Sequence, residues 1–167
     1  MRALVQRVNW AEVEVGGKTV GRIGHGLLVY VGVAATDVTA DAERLAEKVA
    51  HLRIFEDEAG KLNRSVQDVG GSVLAISNFT LLADAGKGRR PAFVGAAGAD
   101  RAEPLYAAFV GQLRVLGCAV ECGIFGASMV IRSAAGGPVN IIMDSPPHEQ
   151  ATYLASESAA GKEKETS

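Results

Sequence analysis

Val73-Leu74-Ala75-Ile76-Ser77-Asn78-Phe79-Thr80-Leu81-Leu82 passes from an unbroken apolar run into hydroxyls, an amide and an aromatic ring. The apolar part is short, follows a break at Gly70-Gly71, and reads as a buried strand that begins at Ser72. A strand that ends in Ser77, Phe79 and Thr80 can present chemistry at its mouth. A second stretch, Gly136-Gly137-Pro138-Val139-Asn140, has comparable weight. The two are expected to meet across a subunit boundary and form one site.

The segments before this strand are mostly strands too. Met1 to Val15 alternates, with Ala3, Val5 and Arg7 on one side and Leu4, Gln6 and Val8 on the other; further on, Ala11, Val13 and Val15 oppose Glu12 and Glu14. Gly16-Gly17 can take positive φ and close a hairpin onto a return strand carrying Val20 and Ile23. Leu27 to Val33 is continuously apolar and reads as a central strand buried on both faces. His25, in the turn before it, reads as a solvated surface residue. Thr39 to Leu52 spaces Leu45, Val49 and Leu52 as one helical stripe, with Asp41, Glu43 and Glu47 opposite and Thr39 as N-cap. Arg53-Ile54-Phe55 predicts a short strand, and Glu56 to Lys61 an exposed acidic turn.

Beyond the central stretch, Asp84 to Gly98 reads as a loop. Lys87, Arg89 and Arg90 lie there among glycines, as a solvated charge run or as phosphate contacts. Asp100 to Leu116 predicts a second helix, with Asp100 and Glu103 spaced as a capping box, Leu105, Phe109, Leu113 and Leu116 buried, and Gly117 as its stop. Ala119 to Cys122, Ser128 to Arg132 and Val139 to Met143 predict three more strands. The domain is expected over residues 1–145, and 146–167, rich in Ser, Ala, Glu and Lys, as a flexible tail. About eight strands and two main helices without regular alternation imply an α+β fold, mainly antiparallel and barrel-like.

Composition narrows the function. A net charge of -2 argues against a strongly basic nucleic-acid coat. Cys118 and Cys122 stand four apart with no His nearby, a poor zinc pattern, so no metal is expected. No apolar run reaches the roughly 20 residues of a membrane span, and a cytoplasmic protein is expected. There is no phosphate-binding glycine loop, no Gly-x-Ser-x-Gly elbow and no base placed for a catalytic triad. Hydroxyls, main-chain amides and a Gly-Pro remain. A bend after Ser77 would turn Ser77, Thr80 and local N–H groups toward one pocket, where such donors can hold an oxyanion. Spacing alone leaves open that the two hydroxyls only satisfy turn groups.

These pieces together resemble the D-aminoacyl-tRNA deacylases from Met1 to about Ser145. The opening Met-Arg-Ala-Leu-Val-Gln-Arg-Val is similar to that family's first strand. Ser77-Asn78-Phe79-Thr80-Leu81 resembles its Ser-Gln-Phe-Thr-Leu signature, and Gly137-Pro138-Val139 the core of its Asn-x-Gly-Pro-Val-Thr. Gly88-Arg89-Arg90-Pro91, Asp100-Arg101-Ala102-Glu103 and Phe125-Gly126-Ala127 with Met129 also fit. The resemblance implies a homodimer that hydrolyses the ester joining a D-amino acid to the terminal adenosine of tRNA, without metal or other cofactor. It implies that a cis Gly137-Pro138 of one subunit excludes L side chains from the other's pocket, that glycyl-tRNA is a possible substrate, and that Ser77, Phe79 and Thr80 line the opposite side. Arg7 would brace the Gly-Pro loop, with Gln6, Phe125 and Met129 near it. Asn78, Ala135 and Asn140 depart from the signatures, which have Gln, Asn and Thr there; the last two bear on how that loop is tied down. Two other readings stand beside this one: a nucleic-acid-binding module without turnover, and a small-ester hydrolase with Thr80 as nucleophile.

Overall fold

The computed structural model describes residues 1–86 and 88–145. Lys87 and the expected tail, 146–167, lie outside the described residues. Eight strands and two α-helices make up the described fold, in the order β1 (Arg2–Val15), β2 (Lys18–Ile23), β3 (Gly26–Gly32), α1 (Thr39–Ala50), β4 (Phe55–Glu56), β5 (Leu62–Arg64), β6 (Ser72–Ser77), α2 (Ala99–Val115), β7 (Ala119–Cys122) and β8 (Val130–Asp144). A 3-10 turn, Phe79–Leu82, follows β6. The main sheet runs β2-β1-β3-β6-β7, with β8 also paired to β1. The β1 pairings are antiparallel, while β3-β6 and β6-β7 are parallel, as crossovers through helices require.

β1 alternates, but its two halves feed two cores. Ala3 and Val5 pack with Leu27, Val29, Val73 and the helices; Val8, Ala11 and Val13 pack with Leu28, Leu74 and Ile76 on the other face. Odd-numbered residues serve the first core and odd-numbered residues again serve the second, so the strand changes face between Val8 and Ala11. The register shift between Val8 and Trp10 against β8 marks that bulge. Closing the sheet on its second face gives the barrel-like half, and α1 and α2 cover the other.

Several boundaries differ from the sequence expectations. Val38, not Thr39, caps α1; Asp41 does not face solvent but is buried, its Oδ2 accepting from Val38 N at 2.9 Å. α2 begins at Ala99 with Gly98 as N-cap, so Asp100 does not cap it. The short strand at Arg53-Ile54-Phe55 shifts to Phe55–Glu56 and pairs with β5, which has three exposed residues and so shows no burial pattern in the sequence. The two strands expected over 128–132 and 139–143 are one strand, β8, because both halves pair with β1 on either side of the Gly-Pro segment.

Two glycines separate close packing from mere turn chemistry. A Cβ on Gly26 would sit 2.8 Å from Ser72 N and 2.9 Å from Ser72 C, backbone that is itself paired in the sheet. At Gly24 a Cβ would meet nothing within 4 Å. Gly26→Ala is therefore expected to lose about 2–3 kcal/mol of stability, the scale of core overpacking, with Gly24→Ala near neutral. Urea unfolding of the two variants checks this; equal midpoints would show that the β3-β6 spacing is not tight.

Candidate functional site

β6 leaves the sheet at Ser77, and the chain is turned by a single side chain. Asn78 is the N-cap of the 3-10 turn: its Oδ1 accepts from Thr80 N at 3.1 Å and also from the Thr80 hydroxyl. Asn78 N donates to Val31 O at 2.8 Å, which ties the turn to β3. Gly32 makes room for it, since a Cβ there would meet Asn78 O at 3.1 Å and the side chains of Leu81 and Leu82.

A cavity of about 430 Å³ opens beside this turn. Ser77, Phe79, Phe125 and Met129 line it, with Tyr106 on its wall from α2. Tyr106 Oη donates to Ala75 O at 2.9 Å, fixing the last buried turn of strand before Ser77. Burial, and after it the neighbouring Cys122, push this hydroxyl well above the usual tyrosine range, so it stays protonated as a donor. Thr80 is not among the lining residues; it is exposed, and its hydroxyl is committed to an amide oxygen, which is no base. Thr80 N–H is committed to the same oxygen. Phe79, as first residue of the turn, has no acceptor within the turn for its N–H.

Gln6, Arg7, Gly137 and Pro138 form a separate group. The Gly137-Pro138 bond is cis, and both residues are exposed. Gln6 opposes Asn140 and Val8 opposes Ala135, so residues 136–139 loop out of the ladder where β1 offers only Arg7. Arg7 Nε donates to Gly136 O at 3.1 Å and Nη1 to Ile54 O at 2.8 Å. Gln6 spans the base of the loop, with Nε2 donating to Asn140 Oδ1 at 2.9 Å and Oε1 accepting from Ser133 Oγ at 3.3 Å. Arg7 pairs with Leu27 on β3, and Ser77 with Val31. Four residues of strand separate them, about 13 Å. Within one chain the Gly-Pro loop and the Ser77 cavity do not meet. Phe125 and Met129, grouped with the loop in the sequence reading, lie at the cavity.

Arg89 and Arg90 are exposed in a hairpin closed by the paired backbones of Asp84 and Ala92. Phe93 follows, its ring 5.0 Å from that of Phe79 and inclined at 65°. Sequence reasoning passed over Phe93 and Tyr106, which carry no motif. Among the described residues no group of three His, Cys, Asp or Glu is placed to hold a metal ion, and no helix is long and apolar enough to cross a membrane.

The profile of the family described as D-Tyr-tRNA(Tyr) deacylase matches residues 4–144. D-aminoacyl-tRNA deacylase of Thermus aquaticus is 54% identical over 145 residues, 87% of this chain and 95% of that one. The Thermomicrobium roseum protein of the same name is 57% identical, over 87% of this chain and 94% of its own. Among solved structures, the c-Myc DNA Unwinding Element Binding Protein superposes with a TM-score of 0.84 at 39% identity, covering 88% of this chain and 100% of that one. A probable eukaryotic D-amino acid tRNA deacylase shares the fold, with a TM-score of 0.75 at 19% identity over 86% of this chain and 98% of its own.

The Arg7 side chain is 13% exposed and holds two main-chain carbonyls from different segments. Arg7→Ala is expected to cost about 3 kcal/mol, since hydrogen bonds from charged groups contribute about 1.5–3 kcal/mol each. Arg7→Lys should recover less than half of this, because an ammonium cannot span both carbonyls. Denaturant unfolding of the pair measures both numbers, and a fully restored Lys variant would show that charge rather than the fork matters.

Proposed function

This chain belongs to the D-Tyr-tRNA(Tyr) deacylase family, and from that premise we propose that it hydrolyses the ester of D-aminoacyl-tRNA, releasing D-amino acid and tRNA, as a cytoplasmic homodimer. The observation that carries the reading of the site is the pairing of a cavity beside the Ser77–Phe79 turn with an exposed Gly137-Pro138 loop that the same chain cannot bring to it. A second copy supplies the loop. Its carbonyls then form a wall where an L side chain would project, and Arg7 and Gln6 keep that wall from yielding. A D side chain points away from the wall. Glycine has nothing to clash, so glycyl-tRNA is also accepted.

The chemistry follows from what the turn leaves free. In this reading Phe79 N–H holds the developing oxyanion, with the Ser77 hydroxyl as a second donor. Thr80 lacks an activating base, and its hydroxyl is held by Asn78. Water is the nucleophile, assisted by the ribose hydroxyl next to the ester on the tRNA itself. The Thr80 nucleophile of the small-ester reading finds no support in this geometry.

Two outcomes are expected. Thr80→Ala retains most of its rate on D-aminoacyl-tRNA, and rapid quench with labelled substrate detects no acyl-enzyme; a dead but folded variant, or a trapped ester, would overturn water attack. Replacing Gly137 or Pro138 raises the L-to-D rate ratio by at least about tenfold, which corresponds to ~1.4 kcal/mol of lost discrimination. Matched D- and L-aminoacyl-tRNA measure this ratio, and an unchanged ratio would remove the wall from the mechanism.

A further inference from the structure

Phe79 is 56% exposed, Phe93 36% and Val94 91%. Single exposed apolar residues are ordinary on protein surfaces. Here, however, two rings are held edge to face at the rim of the cavity. Such a contact sets one ring's edge against the other's face and leaves ring surface open to solvent. The chain that bears Phe93 is fixed at both ends: Ala92 exchanges two hydrogen bonds of 2.8 Å with Asp84, and Ala97, on the cavity wall, donates to Val33 O at 2.9 Å. Arg89 and Arg90 lie just before it, exposed and in no ion pair among the described residues. The cavity is thus bordered by Phe79, Phe79 touches Phe93, and Arg90 and Arg89 stand three and four residues before Phe93 in the chain.

We propose that Phe93, braced by Phe79, is a stacking platform for the unpaired base next to the terminal nucleoside of the substrate's RNA strand, and that Arg89 and Arg90 meet the phosphates that follow. The inference rests on the deacylase reading, which places the acylated nucleoside in the cavity. The strand must then leave by the rim. A polyanion with splayed bases fits this surface: aromatic faces hold unstacked bases, and neighbouring arginines hold the backbone. An apolar protein partner would leave both cations unmatched.

The probe is a single-stranded RNA ending in C-C-A with no amino acid attached, labelled at its 5′ end, with binding read by fluorescence anisotropy at fixed low salt. Phe93→Leu is expected to weaken binding by about tenfold, within the range of one base-aromatic stack. Phe93→Trp should keep it, and Val94→Ala should stay within twofold. With the base next to the terminal adenosine removed, wild type should bind as weakly as Phe93→Leu does to the intact RNA. Thermal midpoints confirm that each variant is folded. Wild-type affinity in Phe93→Leu, or equal weakening by Leu and Trp, overturns the platform, as does a change in sedimenting mass without a change in affinity, which would assign the rings to a protein contact. Wild-type turnover of D-aminoacyl-tRNA, measured in parallel, tests the underlying reading separately. Turnover with Phe93-independent RNA binding sinks only the platform; Phe93-dependent binding without turnover sinks only the deacylase reading.

Discussion

Arg7 stands where β1 has no opposite residue on β8. Its neighbours Gln6 and Val8 face Asn140 and Ala135, and the four residues between these have left the ladder. A gap of this kind in a sheet leaves main-chain groups without partners, which is costly when they are shielded from water. The guanidinium fills it by donating to Gly136 O and, with its other end, to Ile54 O. One side chain thus bridges a break in the sheet and ties the Gly136 carbonyl to the segment after α1.

The same economy of groups governs the cavity. Asn78 Oδ1 takes both the N–H and the hydroxyl of Thr80. That turns the chain after β6, occupies the hydroxyl of Thr80 and, in the proposed reaction, leaves the Phe79 N–H as the donor at the rim. Tyr106 does the equivalent from below, its protonated hydroxyl fixing Ala75 O. Among the described residues the lining of the cavity holds no carboxylate and no histidine to act as a base, so in the proposed reaction part of the reactivity must come from the substrate's own ribose.

The sequence made the strand periods, the α+β class and the two signature stretches legible, because each depends on local pattern. What it hid depends on pairing at a distance. The face change in β1 is invisible as alternation, since Val8 and Ala11 are both apolar and either parity fits. Gly136-Gly137-Pro138 reads as a break because proline cannot donate to a ladder, yet here the break is a loop within one strand. Asp41 reads as a solvent-facing acid from its place on the helix wheel; its carboxylate turns back instead to the backbone N–H of Val38. Ser77 and Thr80 are spaced to converge, but Asn78 captures the second hydroxyl.

That capture also explains how the first of three departures from the resembled signatures can be absorbed, and the bonds around the loop account for the other two. A side chain as short as Asn reaches the N–H two residues on, the geometry of an Asx turn, whereas glutamine, one methylene longer, is a poorer local cap. Asn78 thereby caps the turn while still lining the cavity. Asn140 stands where the signature has Thr, and its amide oxygen meets Gln6 Nε2 at 2.9 Å, so the loop's exit is held by a side-chain amide instead of a hydroxyl. Ala135, at the loop's entry, has no polar side chain to offer, but the residue beside it is held through its backbone, because Arg7 takes Gly136 O directly. Rigidity of the loop is therefore a property of β1, written in Gln6 and Arg7, more than of the Gly-Pro stretch itself. The proposed exclusion of a side chain by backbone carbonyls needs only that those carbonyls cannot retreat, and the residues bonded around the loop lie more than a hundred positions away in the chain.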